Sequence, residues 1–325
     1  MSCAQPCRRG PPAACGGHPR APLPMACTLR LPVCARPRAA AHAASPARPA
    51  AASRPHRSVA ARASRSLVRH ADSPAGDLAV HVYATPEAQA AALCALVERA
   101  AQESIAARGA FALAVPGGSV LKMLAGLSTA QVDWSKVVMV YANHKCVEIT
   151  ADNSTHQKAR SLFIDACKGI TVLAPSGGAD PIAEAKAYEA SMLALSGRLP
   201  FGANGVPIAD LMLLGVGADG HVGSLYPGRP EPLDTGRALV LPVQKGSGPG
   251  SITLSLACMS AARRVVMAMS GASKADAVRL CLQQQQAPGA FPAQMVRCPA
   301  GELTWLLDEG AASKLDATDG VAKLL

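Results

Sequence analysis

Short apolar runs alternate with stretches of helical period along most of the chain, from Asp72 onward. Such runs are typical of strands that are buried on both faces, and the segments between them have room for a helix. Predicted strands lie at 111–115, 137–141, 170–173, 211–216 and 265–269. This alternation predicts an α/β domain with a doubly wound, mostly parallel sheet and helices on both faces.

The first predicted helix carries a signal at each end. Thr85 is a typical capping residue, Pro86 suits the first helical turn, and Gly109 is a common helix terminator. The apolar residues between these signals recur with the period of one helical face. Further helices are predicted at 157–164, 182–195 and 275–283.

Residues 239–256 depart from this alternation. Two short apolar runs follow each other there without an intervening helical segment. They are predicted to add a small antiparallel pair of strands to the domain. Pro242 lacks a backbone N–H and is therefore expected on an edge strand.

The net charge of +10 is concentrated at the start of the chain. Residues 1–71 contain twelve Arg and no Lys, Asp or Glu, whereas the other 254 residues contain 20 basic and 22 acidic ones. An acid-free segment rich in Ala, Arg, Pro and Ser is typical of an organelle transit peptide. We predict that 1–71 is a disordered transit peptide and that 72–325 is a folded domain. A permanently disordered basic tail that binds nucleic acid is the alternative.

The predicted transit peptide indicates a chloroplast stromal protein, with the mitochondrion as the less favoured destination, and import machinery as a partner. The eleven Cys show neither a paired framework nor zinc-type spacing, which favours a reducing compartment. No apolar run is long enough to predict a membrane span. The few aromatic residues do not alternate with basic ones, which argues against a nucleic-acid surface in the body.

Polar residues directly after buried strands are the candidates for chemistry, because ligands of open α/β sheets bind beyond the carboxyl ends of the strands. Gly117, Gly118 and Ser119 follow one strand, and the backbone N–H groups of such a turn suit a phosphate, although the turn is as often only structural. Asp219 and His221 follow another strand within a glycine-rich turn. Histidine is the side chain best suited to accept a proton near neutral pH.

The run Gly-Val-Gly-Ala-Asp-Gly-His-Val-Gly-Ser-Leu-Tyr-Pro-Gly at 215–228 resembles the signature of 6-phosphogluconolactonases, within the superfamily that includes glucosamine-6-phosphate deaminases. The Ser-Leu-Tyr-Pro ending resembles the lactonase branch rather than the deaminases. The similarity covers about residues 80–315 in the same order. It also includes Asp-Trp-Ser-Lys-Val at 133–137, Arg-Arg-Val-Val at 263–266, Ser-Gly-Ala-Ser-Lys-Ala at 270–275 and Gly-Glu-Leu-Thr-Trp-Leu-Leu-Asp at 301–308.

This resemblance implies hydrolysis of the δ-lactone of 6-phosphogluconate in the oxidative pentose phosphate pathway, with no metal and no organic cofactor. His221 is then the general base on water, and Asp219 orients it. The substrate is a small sugar-phosphate lactone, and a monomer or weak homo-oligomer is expected. The phosphate ligands that the resemblance implies are Gly117, Gly118, Ser119, Arg264 and Lys274.

Three consecutive residues depart from the family pattern. Lactonases usually show Asp-Glu-Arg after the strand predicted here at 137–141, and this chain has Asn143, His144 and Lys145 instead. Lys145 keeps the substrate-binding charge without the two-pronged donor of Arg. Asn143 is expected to contact the substrate, but it removes a carboxylate from the site. Three roles stay open for His144: a surface residue, a core hydrogen-bonder or a substrate contact. Two hypotheses follow, an active lactonase and a non-catalytic sugar-phosphate-binding protein of the same fold.

Overall fold

The computed structural model describes residues 65–69, 77–299 and 301–316. The strands are β1 (Arg65–Arg69), β2 (Asp77–Tyr83), β3 (Phe111–Val115), β4 (Val137–Tyr141), β5 (Asn143–Lys145), β6 (Thr171–Val172), β7 (Leu211–Gly215), β8 (Val240–Val243), β9 (Ser251–Leu254), β10 (Arg264–Met269) and β11 (Glu302–Asp308). The α-helices are α1 (Pro86–Arg108), α2 (Ser119–Met123), α3 (Thr155–Ala159), α4 (Pro181–Leu193), α5 (Leu256–Ser260), α6 (Ala275–Gln283) and α7 (Glu309–Ala312).

The main sheet has the strand order β1-β2-β11-β10-β7-β3-β4-β6. All neighbours from β2 to β6 pair in parallel, and β1 pairs antiparallel with β2 at the edge. The chain runs outward from β3 through β4 to β6 on one side, then from β7 through β10 to β11 on the other. The predicted doubly wound, mostly parallel sheet is confirmed, and its order reverses between β3 and β7.

The central strands are buried along their whole length, because helices cover both faces of the sheet. Every residue of β3 and β4 is buried. α1 begins at its cap, where the Thr85 hydroxyl accepts a hydrogen bond from the N–H of Ala88 at 3.1 Å, and it ends at Gly109, which has a φ of 77°. Both predicted helix signals are therefore confirmed. Leu93 and Val97 on its inner face have no exposed surface.

A second sheet of three antiparallel strands has the order β5-β9-β8. The predicted antiparallel pair is confirmed as β8 and β9, and Pro242 lies on β8 at the edge of this sheet. The third strand, β5, was not predicted, because its three residues have no apolar pattern of their own. It joins the sheet through pairing with β9, which brings Lys145 level with Ser251.

β1 falls inside the range 1–71 that the sequence predicts to be a disordered leader. It pairs with β2 so that Arg65 lies level with Val82 and Arg69 with Leu78. The structure therefore forms a strand within this range, while residues 1–64, 70 and 71 lie outside the described residues. Within the described part of the chain, no helix has both the length and the apolar character needed to cross a bilayer.

Candidate active site

The candidate site lies where the strand order reverses, at the carboxyl ends of β3 and β7. Strands on either side of such a point lead their following loops away from each other, which leaves a crevice for a ligand. The loop after β3 contains Gly117 and Gly118, and the loop after β7 contains Asp219 and His221. The topology therefore brings together the two glycine-rich turns that the sequence singled out.

Asn143 connects these two loops. The backbone N–H of Gly117 donates to Asn143 Oδ1 at 2.9 Å, and Asn143 Nδ2 donates to the hydroxyl of Ser224 at 3.3 Å. A side-chain amide makes both bonds because it is a donor and an acceptor at once. The departure from the family's acidic residue thus leaves a neutral side chain that fixes the loop after β3 against the loop after β7.

Asp219 and His221 form a close pair. His221 Nδ1 lies 2.5 Å from Asp219 Oδ1, and the backbone N–H of His221 donates to the same oxygen at 3.2 Å. A carboxylate can only accept, so the ring proton is on Nδ1 and the lone pair is on Nε2. Nε2 makes no hydrogen bond to any described residue. The side chain of His221 is 33% exposed, so part of the ring faces solvent.

The charge of Asp219 is maintained by the same contacts. Partial burial acts to raise the pKa of Asp219, but the hydrogen bonds from the ring and backbone of His221 outweigh it. The pKa of Asp219 therefore lies below its ordinary value. An ionised carboxylate on Nδ1 stabilises the imidazolium that forms when Nε2 takes a proton.

Two glycines give this turn its shape. A Cβ on Gly217 would collide with the ring of His221 and with the carboxylate of Asp219. Gly220 has a φ of 84°, which side chains rarely adopt, and a Cβ there would lie 2.5 Å from the ring of Phe291. Gly217 is therefore required by the close packing of the Asp219–His221 pair, and Gly220 by its backbone conformation and by the packing of Phe291.

Lys274 reaches the same region from the neighbouring strand. It follows β10, and its Nζ donates to the carbonyl of Val216 at 3.0 Å, next to the turn that carries His221. Asp308, a residue without a predicted role, holds the preceding turn by accepting from the Ser270 hydroxyl at 2.7 Å and from the Gly271 N–H at 2.9 Å. The end of β11 thus supports the segment that presents Lys274.

Arg264 lies away from this site. It is the first residue of β10, one place before Val265, which is level with Met212 near the start of β7. Its guanidinium donates to Glu103 on α1 at 2.7 Å. The amino ends of parallel strands lie together, so Arg264 is at the amino ends of the strands and His221 follows a carboxyl end. The structure corrects the expectation that Arg264 binds the phosphate.

His144 is a core hydrogen-bonder. It is 1% exposed, and its Nδ1 donates to the carbonyl of Lys145 at 2.6 Å. Its Nε2 accepts from the backbone N–H of His156 at 3.1 Å and lies 3.3 Å from the hydroxyl of Ser154. Burial lowers the pKa of His144. Both ring nitrogens are engaged, which fixes the ring in its neutral form beneath the site.

The two remaining candidates lie exposed at the same edge. Ser119 is the first residue of α2, directly after the two glycines. Lys145 shares one face of β5 with Asn143, because residues two apart on a strand point to the same side. Among the ion pairs of the described residues, none includes Lys145 or Lys274. Both ammonium groups thus carry charge without an acidic partner.

Sequence reasoning missed one further pair of side chains. The ring of Tyr226 lies 4.9 Å from that of His221, and the Nζ of Lys245 lies 3.9 Å from the centre of the Tyr226 ring. Partial burial, with the negative charge of Asp219, raises the pKa of Tyr226. Tyr226 belongs to the signature at 215–228, whereas Lys245 lies on the β8–β9 hairpin, where no local pattern marks it.

The chain is similar to known proteins over most of the residues that the structure describes. The family model for glucosamine-6-phosphate isomerases/6-phosphogluconolactonase matches residues 84–305. The chain belongs to this family. It is 32% identical to the human 6-phosphogluconolactonase over 250 residues, which covers 73% of this chain and 93% of the human protein. It is 31% identical to the 6-phosphogluconolactonase of Synechocystis over 217 residues, covering 66% of this chain and 88% of that protein.

A solved structure of 6-phosphogluconolactonase from Trypanosoma brucei is similar as well. Its TM-score is 0.61 at 26% sequence identity, and the similarity covers 73% of this chain and 98% of that one. The α/β architecture of this family is therefore shared by the described domain. The matched range includes both turns that form the candidate site, and it also includes residues 143–145, which differ from the usual family pattern.

Proposed function

We propose that the protein hydrolyses 6-phosphoglucono-δ-lactone to 6-phosphogluconate in the oxidative pentose phosphate pathway. The observation that carries the proposal is the Asp219–His221 pair at the reversal point of the sheet, with Nε2 of His221 free. The chain's relatives include proteins named 6-phosphogluconolactonase from bacteria and animals. A general base beside an open crevice is the group that an ester hydrolysis needs.

The reaction begins with a water molecule held by Nε2 of His221. As the water oxygen attacks the lactone carbonyl carbon, its proton passes to Nε2, and the carbonyl electrons form an oxyanion. Asp219 accepts from Nδ1–H and stabilises the resulting imidazolium. Backbone N–H groups of the glycine turns are candidates for stabilising the oxyanion.

The oxyanion then collapses and the ring C–O bond breaks. The leaving alkoxide takes the proton from the imidazolium, which returns His221 to its neutral form. The new carboxylic acid releases its proton to solvent, so the products are a carboxylate, a hydroxyl group and one free proton. Every step uses side chains or backbone of this chain together with water.

The phosphate of the substrate is a dianion that needs fixed donors and a cation. Gly117, Gly118 and Ser119 offer the start of α2, and Lys274 stands over the turn of His221. Lys145 contributes a second ammonium group from β5, and Asn143 keeps the loop after β3 in place. This assignment omits Arg264, whose guanidinium is bound to Glu103.

The test is the hydrolysis of freshly prepared 6-phosphoglucono-δ-lactone by the full chain, compared with the spontaneous rate. We expect catalysis that falls about 10²–10⁴-fold in His221→Ala, which removes the general base. Circular dichroism of the variant should match that of the wild type, because the ring is partly exposed. A folded wild-type protein that binds 6-phosphogluconate without accelerating hydrolysis would instead be the non-catalytic member of the family.

We infer for the leader that it directs the protein to the chloroplast stroma through the import machinery. The inference rests on the composition of 1–71, with its twelve Arg and no acidic residue. The test is import of residues 1–71 fused to a fluorescent protein into isolated chloroplasts and mitochondria. Cleavage and protease protection in chloroplasts are expected, whereas uptake by mitochondria alone would reassign the destination.

A further inference from the structure

The β8–β9 hairpin places a lysine near the candidate site that neither the sequence motifs nor the family match single out. Lys245 lies 3.9 Å above the ring of Tyr226, which in turn lies 4.9 Å from the ring of His221. A cation on an aromatic face is held without losing its charge. Within the described residues, Lys245 has no acidic partner.

The hairpin is built to present this side chain. Gln244 Nε2 donates to the carbonyls of Gly246 at 2.9 Å and Gly248 at 2.8 Å, which closes the loop directly after Lys245. Gly246 has a φ of 64°, a conformation that glycine adopts without strain. The loop shape is therefore fixed by its own hydrogen bonds, and Lys245 projects from a defined position.

The small sheet brings Lys245 and Lys145 to the same end. Ser251 of β9 pairs with Lys145 of β5 on one side and with Val243 of β8 on the other. Lys245 comes two residues after Val243, and the N–H of Cys146 donates to the carbonyl of Gly250 at 2.8 Å. Lys145 and the end of β8 that precedes Lys245 therefore lie on the two sides of Ser251, at the same end of the small sheet.

We propose that Lys245 binds the phosphate of the substrate, together with Lys145. The proposal rests on the lactonase function proposed above and adds a residue to its substrate contacts. A charge that acts on the oxyanion must lie about 3 Å from the reacting oxygen. The ring of Tyr226 contacts both Lys245 and His221, so it lies between the ammonium group of Lys245 and the imidazole of His221. A sugar phosphate spans such a gap between its reacting carbonyl and its phosphate.

This arrangement also accounts for one expected cation that is absent from the site and one that is changed in kind. Arg264 is at the far edge of the sheet, and the usual Arg after β4 is replaced by Lys145. A single ammonium forms fewer directed bonds with a phosphate than a guanidinium does. Two lysines at the same end of the small sheet, from the two strands that flank β9, supply the charge that a dianion requires.

The test measures the dissociation constant of 6-phosphogluconate and the kinetics of lactone hydrolysis in Lys245→Met and Lys245→Arg of the full chain. We expect Lys245→Met to raise both the dissociation constant and the KM for 6-phosphoglucono-δ-lactone about tenfold, with kcat changed by less than about twofold. Lys245→Arg should stay near wild type because it keeps the charge. Binding of gluconate, which lacks the phosphate, should be equal in wild type and Lys245→Met.

Lys168→Met is the matched control. Lys168 is exposed and donates through Nζ to the carbonyl of Asp165 at 2.7 Å. It precedes β6 and is therefore at the amino end of that strand, away from the carboxyl ends that form the site. Its removal should change neither binding nor turnover. This control separates a local effect of Lys245 from the loss of one positive charge anywhere on the surface.

Different failures point to different proposals. Equal affinities of wild type and Lys245→Met for 6-phosphogluconate would overturn the role of Lys245 while leaving the lactonase function in place. A fall in kcat with unchanged affinity would also overturn it, because it would place the ammonium at the reacting carbonyl. Binding that depends on Lys245 in a protein without turnover would uphold the subsite and refute the lactonase function.

Discussion

Two histidines follow strands of this fold, and they differ in how their rings are bonded. His144 on β5 uses both nitrogens within the protein, donating to the carbonyl of Lys145 and accepting from the N–H of His156. His221 after β7 uses Nδ1, on Asp219, and its Nε2 has no hydrogen-bond partner among the residues that the structure describes. A histidine acts as a base only when one lone pair is available, so these hydrogen bonds favour His221 over His144 as the candidate base.

Asp219→Asn should have the largest effect that sharpens this contrast. The neutral amide no longer stabilises an imidazolium and can favour the wrong ring tautomer, so we expect kcat to fall about 10²-fold. The Asp219 side chain is 49% exposed, and the thermal unfolding midpoint should therefore stay close to that of the wild type. Kinetics on the lactone, with differential scanning fluorimetry beside them, measure both quantities. Unchanged turnover would show that the contact with Nδ1 has no catalytic role.

His144→Ala should show the opposite pattern, with an effect on stability rather than on chemistry. It leaves the partly buried N–H of His156 without its partner, and it removes a packed ring. The carbonyl of Lys145 loses one hydrogen bond and keeps the one from the N–H of Val147 at 3.0 Å. We expect the free energy of unfolding to fall by about 1–3 kcal/mol, measured by urea denaturation. Turnover per folded molecule should stay within about threefold of wild type if Nε2 of His221 is the only base. A loss of turnover as large as that of His221→Ala would break the comparison.

The same contrast predicts how stability responds to pH. Burial lowers the pKa of both His144 and His156 below the ordinary value of 6.5. The folded state therefore holds these rings neutral, and the unfolded chain binds protons more readily. Stability is fully present above pH 6.5 and falls as the pH drops from 6.5 towards the lowered values. Urea midpoints measured from pH 7.5 to 5 should decrease, with a shallower decrease in His144→Ala. An equal slope in both proteins would assign the effect to other groups.

The smallest expected effect concerns Cys146, one residue beyond β5. Burial, with added repulsion from Glu184 and Asp180, raises the pKa of this thiol to about 11. It is 3% exposed, so the reactive thiolate is scarce and shielded at neutral pH. Iodoacetamide at pH 8 should leave Cys146 unmodified in the native protein and modify it after unfolding, as mass spectrometry of its peptide would show. Rapid native labelling would instead support a redox role.

Much of this molecule could be predicted from local sequence. The caps of α1, the buried strands β3 and β4, and the turn that carries Asp219 and His221 each depend on neighbouring residues. Apolar period, capping chemistry and glycine conformation act over a few residues, and they therefore appear in the sequence itself. β2 was not predicted, because it has no continuous apolar run. Its place in the sheet depends on pairing with β11, which is remote in the chain.

The partners across the site were decided by tertiary structure. Strand order and direction place Asn143 between two loops, engage both nitrogens of His144, send Arg264 to the far edge and bring Lys245 over Tyr226. Each of these contacts joins residues that are remote in the chain or depends on which end of a strand faces the crevice. The sequence alone determined the candidate base and the glycine turn that carries it, because both are local, and the packing of the sheet determined which charges surround them.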